Sequence, residues 1–404
     1  MTTIARSDDL RIRNRHRVMT AIRRAGSLSR IDIARSTGLS AATVTAIAAE
    51  LVELGVLIRK DGDESRRFGR GRPKVALSIN PAMAVVVSTV FKMNTLSSRV
   101  FDYAGQTVSE HQLVTDTSSL GVADIRALLA DSIRQALARS GTEARLKRIV
   151  VGVQGTTDID GQTMLWSPIT EHRDLPIAAW LSADLDVPVQ VWNDCNMIAQ
   201  SLHWQEPEEF DSDFAAVLLS YGVGMGLFQN GEPMNGSHSS GMEFGHMTYI
   251  PHGAPCRCGN RGCIEAYAGD YAIRDRAGGA TADGGQGGID AILEAARAGD
   301  KNAEKAITEA GAALGTGLAN LFALTDPLPV ALVGSGARAF ELLEQAMREA
   351  LRNSMTGEPG AAVKITCYPD EMPIVHNGCA INALEVVDRQ SVSFAPGREA
   401  DALV

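Results

Sequence analysis

Apolar positions near the N-terminus recur at helical spacing in three short runs. Ile12, Met19 and Ile22 mark a helix over Ile12–Ala25 that ends at Gly26. Ser29-Arg-Ile-Asp32 sets a capping serine three residues before an acid, so a second helix carries Ile33 and Ala34 and stops at Gly38. Ser40 caps a third helix, with Leu39 placed to staple onto Val44. Val44, Ile47, Ala48 and Leu51 share its buried stripe, leaving Ala41, Ala42, Thr43, Thr45 and Ala49 outward. Two short helices joined by Thr-Gly-Leu read as a helix-turn-helix whose second helix suits a DNA major groove. Val56–Arg59 and Val75–Ile79 read as the strands of a wing.

Further on, longer elements alternate. Residues 84–114 read as strands with a turn at Ala104-Gly105, followed by a helix at Val122–Arg139 and a strand at Arg148–Gly152. A strand at Pro188–Trp192 feeds the corner Asn193-Asp194 and a helix Cys195–Trp204. Strands Ala215–Leu219 and Val330–Val333 and helices Ala303–Leu324, Ala337–Leu351 and about Ala380–Val387 complete the pattern. Ala277–Gly288 is a glycine-rich loop, and no internal repeat shows in the sequence.

The chain has 404 residues, 45% apolar and 21% charged, enough for two or three domains with real cores. No run of about 18 apolar residues and no apolar leader is present, so the expectation is a cytoplasmic protein without a membrane partner. Six cysteines are too sparse for a disulfide-stapled fold.

Charge changes the picture. The whole chain carries −10, yet residues 1–80 hold 16 Lys and Arg against 8 Asp and Glu, a net of +8. The remainder holds 22 against 40, a net of −18, so the head meets an anion and the body does not. Arg66-Arg67-Phe68-Gly69-Arg70-Gly71-Arg72-Pro73-Lys74 lies between the wing strands, slim enough for Arg70 and Arg72 to enter a minor groove. Lys74 joins them in the expected DNA-contacting set, with Ser40, Ala41, Ala42, Thr43 and Thr45 of the recognition helix. Those helix side chains are small and offer no bidentate base reader, so affinity is expected from phosphates and the wing. Arg11, Arg13, Arg15 and Arg17 either add phosphate contacts or form a solvated helix face.

His246 is followed by Cys256-Arg-Cys258-Gly-Asn-Arg-Gly-Cys263. Three thiolates and an imidazole complete a tetrahedral set for Zn²⁺ and leave no position for water, so the ion is structural. Cys195, Cys367 and Cys379 are scattered and read as core residues. Glu243 and Glu265 flank the cluster, and ionised carboxylates accept hydrogen bonds from hydroxyl groups.

At these residues the chain resembles the ROK family of repressors and sugar kinases. Gly241-Met-Glu243-Phe-Gly245-His246, with Cys256-x-Cys258-Gly-Asn-x-Gly-Cys263-Ile-Glu265, is similar to its zinc and sugar signature. Asn193-Asp194-Cys-Asn196 resembles its Asn-Asp-Ala-Asn element, and Gly152-Val-Gln-Gly155 its Gly-Val-Pro-Gly loop. The resemblance implies an α/β fold: a winged helix-turn-helix at 1–80, then a two-lobed actin-like body. The first lobe would span 81–196 with a C-terminal helix at about 380–404, and the second 197–379. It also implies that Asn193, Asp194, Glu243, His246 and Glu265 line a sugar pocket, with His246 touching both sugar and zinc. In the family's kinases the residue matching Asp194 is the general base.

The phosphate side departs from that pattern. Kinases carry Asp-x-Gly-Gly-Thr at the first strand turn, where this chain reads Ser88-Thr-Val-Phe91-Lys-Met-Asn94-Thr. A second glycine loop becomes Ser220-Tyr221-Gly222-Val-Gly224-Met225-Gly226, and Gly334-Ser-Gly336 keeps a trace of the nucleotide turn. Side chains there fill space that phosphates need. Pro168-Ile-Thr-Glu171-His172 stands where the family often has Pro-Asn-Leu-Gly-Trp, which predicts altered reading of the ligand. The expectation is therefore a sugar-responsive repressor without catalytic residues, binding operator DNA as a homodimer or higher oligomer. Its rivals are a sugar kinase that also binds DNA and a DNA-binding scaffold with a vestigial cleft.

Overall fold

The computed structural model describes residues 7–60, 75–239, 241–278 and 288–393. Arg70, Arg72 and Lys74, and most of the glycine-rich run Ala277–Gly288, lie outside the described residues.

The head follows its local signals. Helices α1 (Ser7–Ala25), α2 (Arg30–Thr37) and α3 (Ala41–Glu53) form in order, the first longer than its apolar run. Ser29 Oγ accepts from Asp32 N at 3.3 Å, and Ser40 Oγ accepts from Thr43 N at 3.1 Å. Gly38 ends α2 at φ 66°, a left-handed conformation that glycine adopts without strain. The stripe Val44, Ile47, Ala48 and Leu51 is buried. Strands β1 (Leu28–Ser29), β2 (Leu57–Lys60) and β3 (Ala76–Ile79) pair antiparallel in the order β1-β3-β2, making the wing's base.

Of Arg11, Arg13, Arg15 and Arg17 in α1, three make contacts within the head, and Arg13 is exposed. Arg15 is 3% exposed and pairs with Glu50 of α3, and Arg11 bonds the same carboxylate at 2.9 Å. Arg17 donates to the Thr37 carbonyl. These three side chains brace α1 against α2 and α3.

The body holds two sheets of one design. The first contains β4 (Val85–Lys92), β5 (Thr95–Asp102), β6 (Thr107–Val114), β7 (Leu146–Val153) and, beyond the small hairpin β8 (Thr156–Thr157) and β9 (Met164–Trp166), β10 (Val189–Asn193). Their order is β10-β7-β4-β5-β6. The second contains β11 (Phe214–Leu219), β12 (Val223–Gln229), β13 (Glu232–Pro233), β14 (Val330–Val333) and β15 (Ile365–Tyr368), in the order β13-β12-β11-β14-β15. Each sheet opens with two antiparallel pairings and adds two parallel strands on the other side of its first strand. The topology therefore repeats although no sequence repeat is visible: packing constrains which positions are apolar, not which residues fill them. All eight residues of β4 are buried, as a central strand covered on both faces requires.

Helices α4 (Val122–Ser140) and α5 (Ile177–Leu185) cover one face of the first sheet. Helix α6 (Asp194–Gln205) and a C-terminal helix lie on the other side, toward the second sheet. That C-terminal helix runs Glu371–Ser393 among the described residues, so it starts well before the expected position 380. Its early start takes residues 371–379 from the expected second lobe to the first sheet. At its crossing with α6, a Cβ on Gly378 would stand 1.9 Å from the Met197 carbonyl oxygen, so only glycine permits this approach. Gly378→Ala should cost about 3 kcal/mol through backbone displacement, read as a lower urea midpoint at unchanged slope.

One expectation needs correction. Lys301–Thr325 is long and apolar enough to cross a membrane, which the absence of any long apolar run seemed to exclude. Its most apolar window is 61% buried against the second sheet and its helices, where a core helix belongs. Its alanines and leucines raise the mean hydropathy, while Gly, Thr and Asn between them keep the apolar run broken.

Candidate functional site

The carboxyl ends of the parallel strands open on a cleft between the two sheets, the usual place for a ligand in such sheets. The cleft has a volume of about 730 Å³, its open mouth included. Asn193, Asp194, Glu243, His246 and Glu265 all line it, so the structure brings together the five residues singled out from the sequence.

Strand β10 ends at Asn193, which is the cap of α6. Its Oδ1 accepts from Asn196 N at 3.1 Å and its Nδ2 donates to the Gly155 carbonyl at 2.8 Å. The Asn193 amide is thereby spent on holding the corner. Asp194 is the first residue inside the helix rather than its cap. It is 2% exposed, and its Oδ1 accepts from Cys195 N at 2.9 Å. Its Oδ2 has no hydrogen-bond partner among the described residues. Burial pushes the Asp194 carboxyl up to about 6, nearby Lys92 partly opposes this, and Glu371 adds to it.

The two glutamates come from the opposite wall. Glu243 is 53% exposed and accepts from Thr156 Oγ1 of β8 at 2.7 Å, joining the two sides of the cleft. Glu265 accepts from Val223 N at 3.1 Å through Oε2 and from the Tyr271 hydroxyl at 3.4 Å through Oε1. His246 Nε2 stands 3.8 Å from Glu243, while its Nδ1 turns to Cys256 Sγ at 3.7 Å.

Behind these residues the ligand atoms of His246, Cys256, Cys258 and Cys263 all lie within 4.8 Å of one another, a set able to hold a metal ion. Cys258 and Cys263 sulfurs are 3.8 Å apart. Donors about 2.3 Å from one tetrahedral centre stand just under 4 Å from each other, so the spacing fits a single ion. Burial pushes the Cys256 and Cys263 thiols up, a cost that a bound dication offsets by stabilising thiolates.

The floor of the cleft carries charge that sequence reasoning missed. Lys92, at the end of β4, pairs with Glu371 at the start of the C-terminal helix, both little exposed. Burial alone would raise the Glu371 carboxyl, but Lys92 outweighs it and holds the group below its ordinary value. Glu371 also accepts from Ser220 Oγ at 3.4 Å. Asp270 accepts from Ser335 Oγ at 2.8 Å, tying the Gly334-Ser335-Gly336 turn to the same corner. Arg257 lies over the rings of Tyr221 and Tyr271 at 4.4 and 4.1 Å and lines the cleft. Glu171 and His172 do not line it: His172 Nε2 is 3.2 Å from the Leu120 carbonyl, and Glu171 is exposed. Trp166 and Pro168 supply that wall instead.

In the head, Ser40 spends its hydroxyl as the α3 cap, Ala41, Ala42 and Thr45 are exposed, and Thr43 is half-buried. The outward face of α3 is therefore small and smooth.

A two-lobed actin-like body behind a winged helix-turn-helix is the class that this fold and cleft define. The chain matches the ROK family over residues 94–371 and a winged helix-turn-helix DNA-binding family over residues 13–58. It belongs to the ROK family. It is 25% identical to the DNA-binding transcriptional repressor Mlc of Escherichia coli K12 over 357 residues, 85% of this chain and 86% of that protein. The crystal structure of a ROK family transcriptional regulator, a homolog of the E. coli MLC protein, aligns with a TM-score of 0.77 at 22% identity, over 95% of this chain and 99% of that one. A ROK family glucokinase from Streptomyces griseus, in complex with glucose and AMPPNP, aligns with a TM-score of 0.62 at 24% identity, over 74% and 99%.

Proposed function

We propose that this protein is a sugar-responsive transcriptional regulator, a repressor, whose cleft binds a sugar or sugar derivative without phosphorylating it. The observation that carries the reading is the asymmetry of the cleft. On one side Asp194 offers a buried oxygen with no partner among the described residues, beside Glu243 and Glu265, as an acceptor set for hydroxyl groups, with His246 Nε2 as a donor when Nδ1 holds the metal. On the other, the Lys92–Glu371 pair lies at the strand turn where the family's kinases carry the glycines that cradle phosphates. Asp194 then orients a hydroxyl rather than removing its proton for transfer. The similarity to Mlc supports the regulatory reading, and the joined head supplies its output.

The remaining assignments follow from this. The His246, Cys256, Cys258 and Cys263 set holds a structural Zn²⁺, which stiffens the loop presenting Glu243 and Glu265. The functional units are the head over 1–80, a first lobe over 81–196 completed by the C-terminal helix, and a second lobe from 197. The protein works in the cytoplasm as a homodimer or higher homo-oligomer, in which paired heads match half-sites a helical turn or a multiple apart.

Two measurements test the reading together. A thermal shift across D-glucose, D-xylose and N-acetyl-D-glucosamine should rise with at least one sugar. A coupled assay with the same sugars and Mg-ATP should show no turnover, and rates of about 1 s⁻¹ would establish the kinase instead. No shift with any sugar would leave a DNA-binding scaffold. Arg70 and Arg72 carry a further expectation. Replacing both with alanine should lower the slope of log affinity against log salt by about 2. Filter binding to a selected duplex at several salt concentrations checks this, and an unchanged slope removes the wing from the interface.

A further inference from the structure

Two helices begin in the cleft and end under the DNA-binding head. Helix α6 starts with Asp194 and finishes at Trp204-Gln205, and the C-terminal helix starts with Glu371 and carries Asp388 near its far end. From Glu371 to Asp388 a helix rises about 25 Å. The pair cross closely at Gly378 and Met197, and Asn382 Nδ2 donates to Gln200 Oε1 at 3.3 Å, so the two helices are packed against each other.

Both far ends hold α1. Arg23 donates to Asp388 through Nε at 3.2 Å and through a terminal nitrogen at 2.7 Å, with both side chains 5% exposed. The same guanidinium donates to the Tyr103 carbonyl and lies over the Tyr103 ring at 5.0 Å. Arg24 lies over the Trp204 ring at 4.9 Å. Beside these contacts runs an open groove of about 1080 Å³, its mouth included, lined by both arginines, Trp204, Gln106, Asn377 and Leu384. Val18, Met19 and Ile22 of α1 pack in one core with Ala383, Leu384 and Val387 of the C-terminal helix, so the arginine contacts orient a joint that apolar packing holds.

We propose that the Arg23–Asp388 pair, seconded by Arg24 on Trp204, is the joint through which the state of the cleft sets the position of the DNA-binding head. At the cleft end the pair of helices is anchored by Lys92 on Glu371 and by the corner at Asn193-Asp194. A ligand that draws on Asp194 or disturbs Lys92 shifts the helices along or about their common axis. The two arginines carry that shift into α1, and Arg15 and Arg11 carry it on to α3 through Glu50. The inference rests on the regulatory reading for its purpose, but not for its test.

The test is a double-mutant cycle read by hydrogen exchange on the full-length, zinc-loaded protein, with no sugar and no DNA. Sites so far apart behave independently unless something couples them. Lys92→Ala frees the cleft end and Asp388→Asn frees the joint. Lys92→Ala alone should speed exchange in α1 about tenfold. In the Asp388→Asn background, where α1 already exchanges faster, Lys92→Ala should add less than twofold. Independent, multiplying effects, or an α1 indifferent to Lys92→Ala, would overturn the proposal. Asp388→Asn strands a buried guanidinium and can unfold the head, so Trp204→Leu provides a second break without an orphaned charge. It should reduce the Lys92→Ala effect by at least half, and an undiminished effect would again overturn the joint. Sugars failing to shift the melting temperature would sink the regulatory reading and leave the cycle's result standing.

Discussion

Cys258→Ser should yield protein without bound zinc and with a second lobe that melts far below the rest. Three ligands remain, but a serine hydroxyl is a poor donor to this ion, and metal affinity here is folding free energy. Structural zinc contributes about 10–16 kcal/mol in small zinc-dependent peptides. A lobe with its own core loses less, though the damage starts inside that core: Cys256, Cys263, Ile264 and Phe244 are buried in it together. Elemental analysis should give one zinc per chain for the wild type and none for the variant, and calorimetry should show an early transition. Sugar response should vanish as well, because Glu243 and Glu265 sit on the segments that the ion ties down. One zinc per chain in the variant would refute the ligand set.

Asp194→Asn should stabilise the empty protein while it destroys recognition. Burial raises the carboxyl from 3.8 to about 6, so the folded chain prefers it protonated. The stability this group gives is full below its unfolded value and is lost as pH climbs through about 6. At neutral pH the wild type therefore carries a buried carboxylate that costs on the order of 3 kcal/mol. The amide removes that charge and can still accept from Cys195 N, so the melting temperature should rise and its decline between about pH 4 and 6 should flatten. Ligand affinity should fall 10- to 100-fold, the worth of a charge-assisted hydrogen bond to a hydroxyl. In the wild type, affinity should increase with pH through about 6. Calorimetric titration at acid and neutral pH checks both variants. A stabilised variant that still binds sugar would remove Asp194 from the recognition set.

What the sequence discloses and what it hides divide along chain distance. The caps at Ser29 and Ser40, the left-handed stop at Gly38 and the buried stripe of α3 are settled within four residues, so pattern reading recovers them. The metal ligands lie within one loop, and the acidic pocket residues flank it or sit at a strand-to-helix corner. The two-residue strand β1 leaves no period to detect. The charges of Arg11 and Arg15 carry no mark of their partner Glu50, more than thirty positions away. Lys92 and Glu371 belong to the cleft only because the C-terminal helix returns to the first sheet, a tertiary fact without local cause. The early start of that helix has a local disguise: Pro373 sits in its first turn, where proline is tolerated but reads as a break.

The Lys92–Glu371 pair has an evolutionary consequence. Exchanging the lysine alone for glycine strands a carboxylate where an incoming triphosphate would be repelled. Exchanging the glutamate alone removes the partner of the Lys92 ammonium and the acceptor of Ser220, and one-sided loss of a buried pair costs about 3–5 kcal/mol. Restoring a glycine turn at this place thus demands both substitutions together, because either single step leaves one charge without its partner. A lineage that acquired this pair is held to it by the cost of either single step.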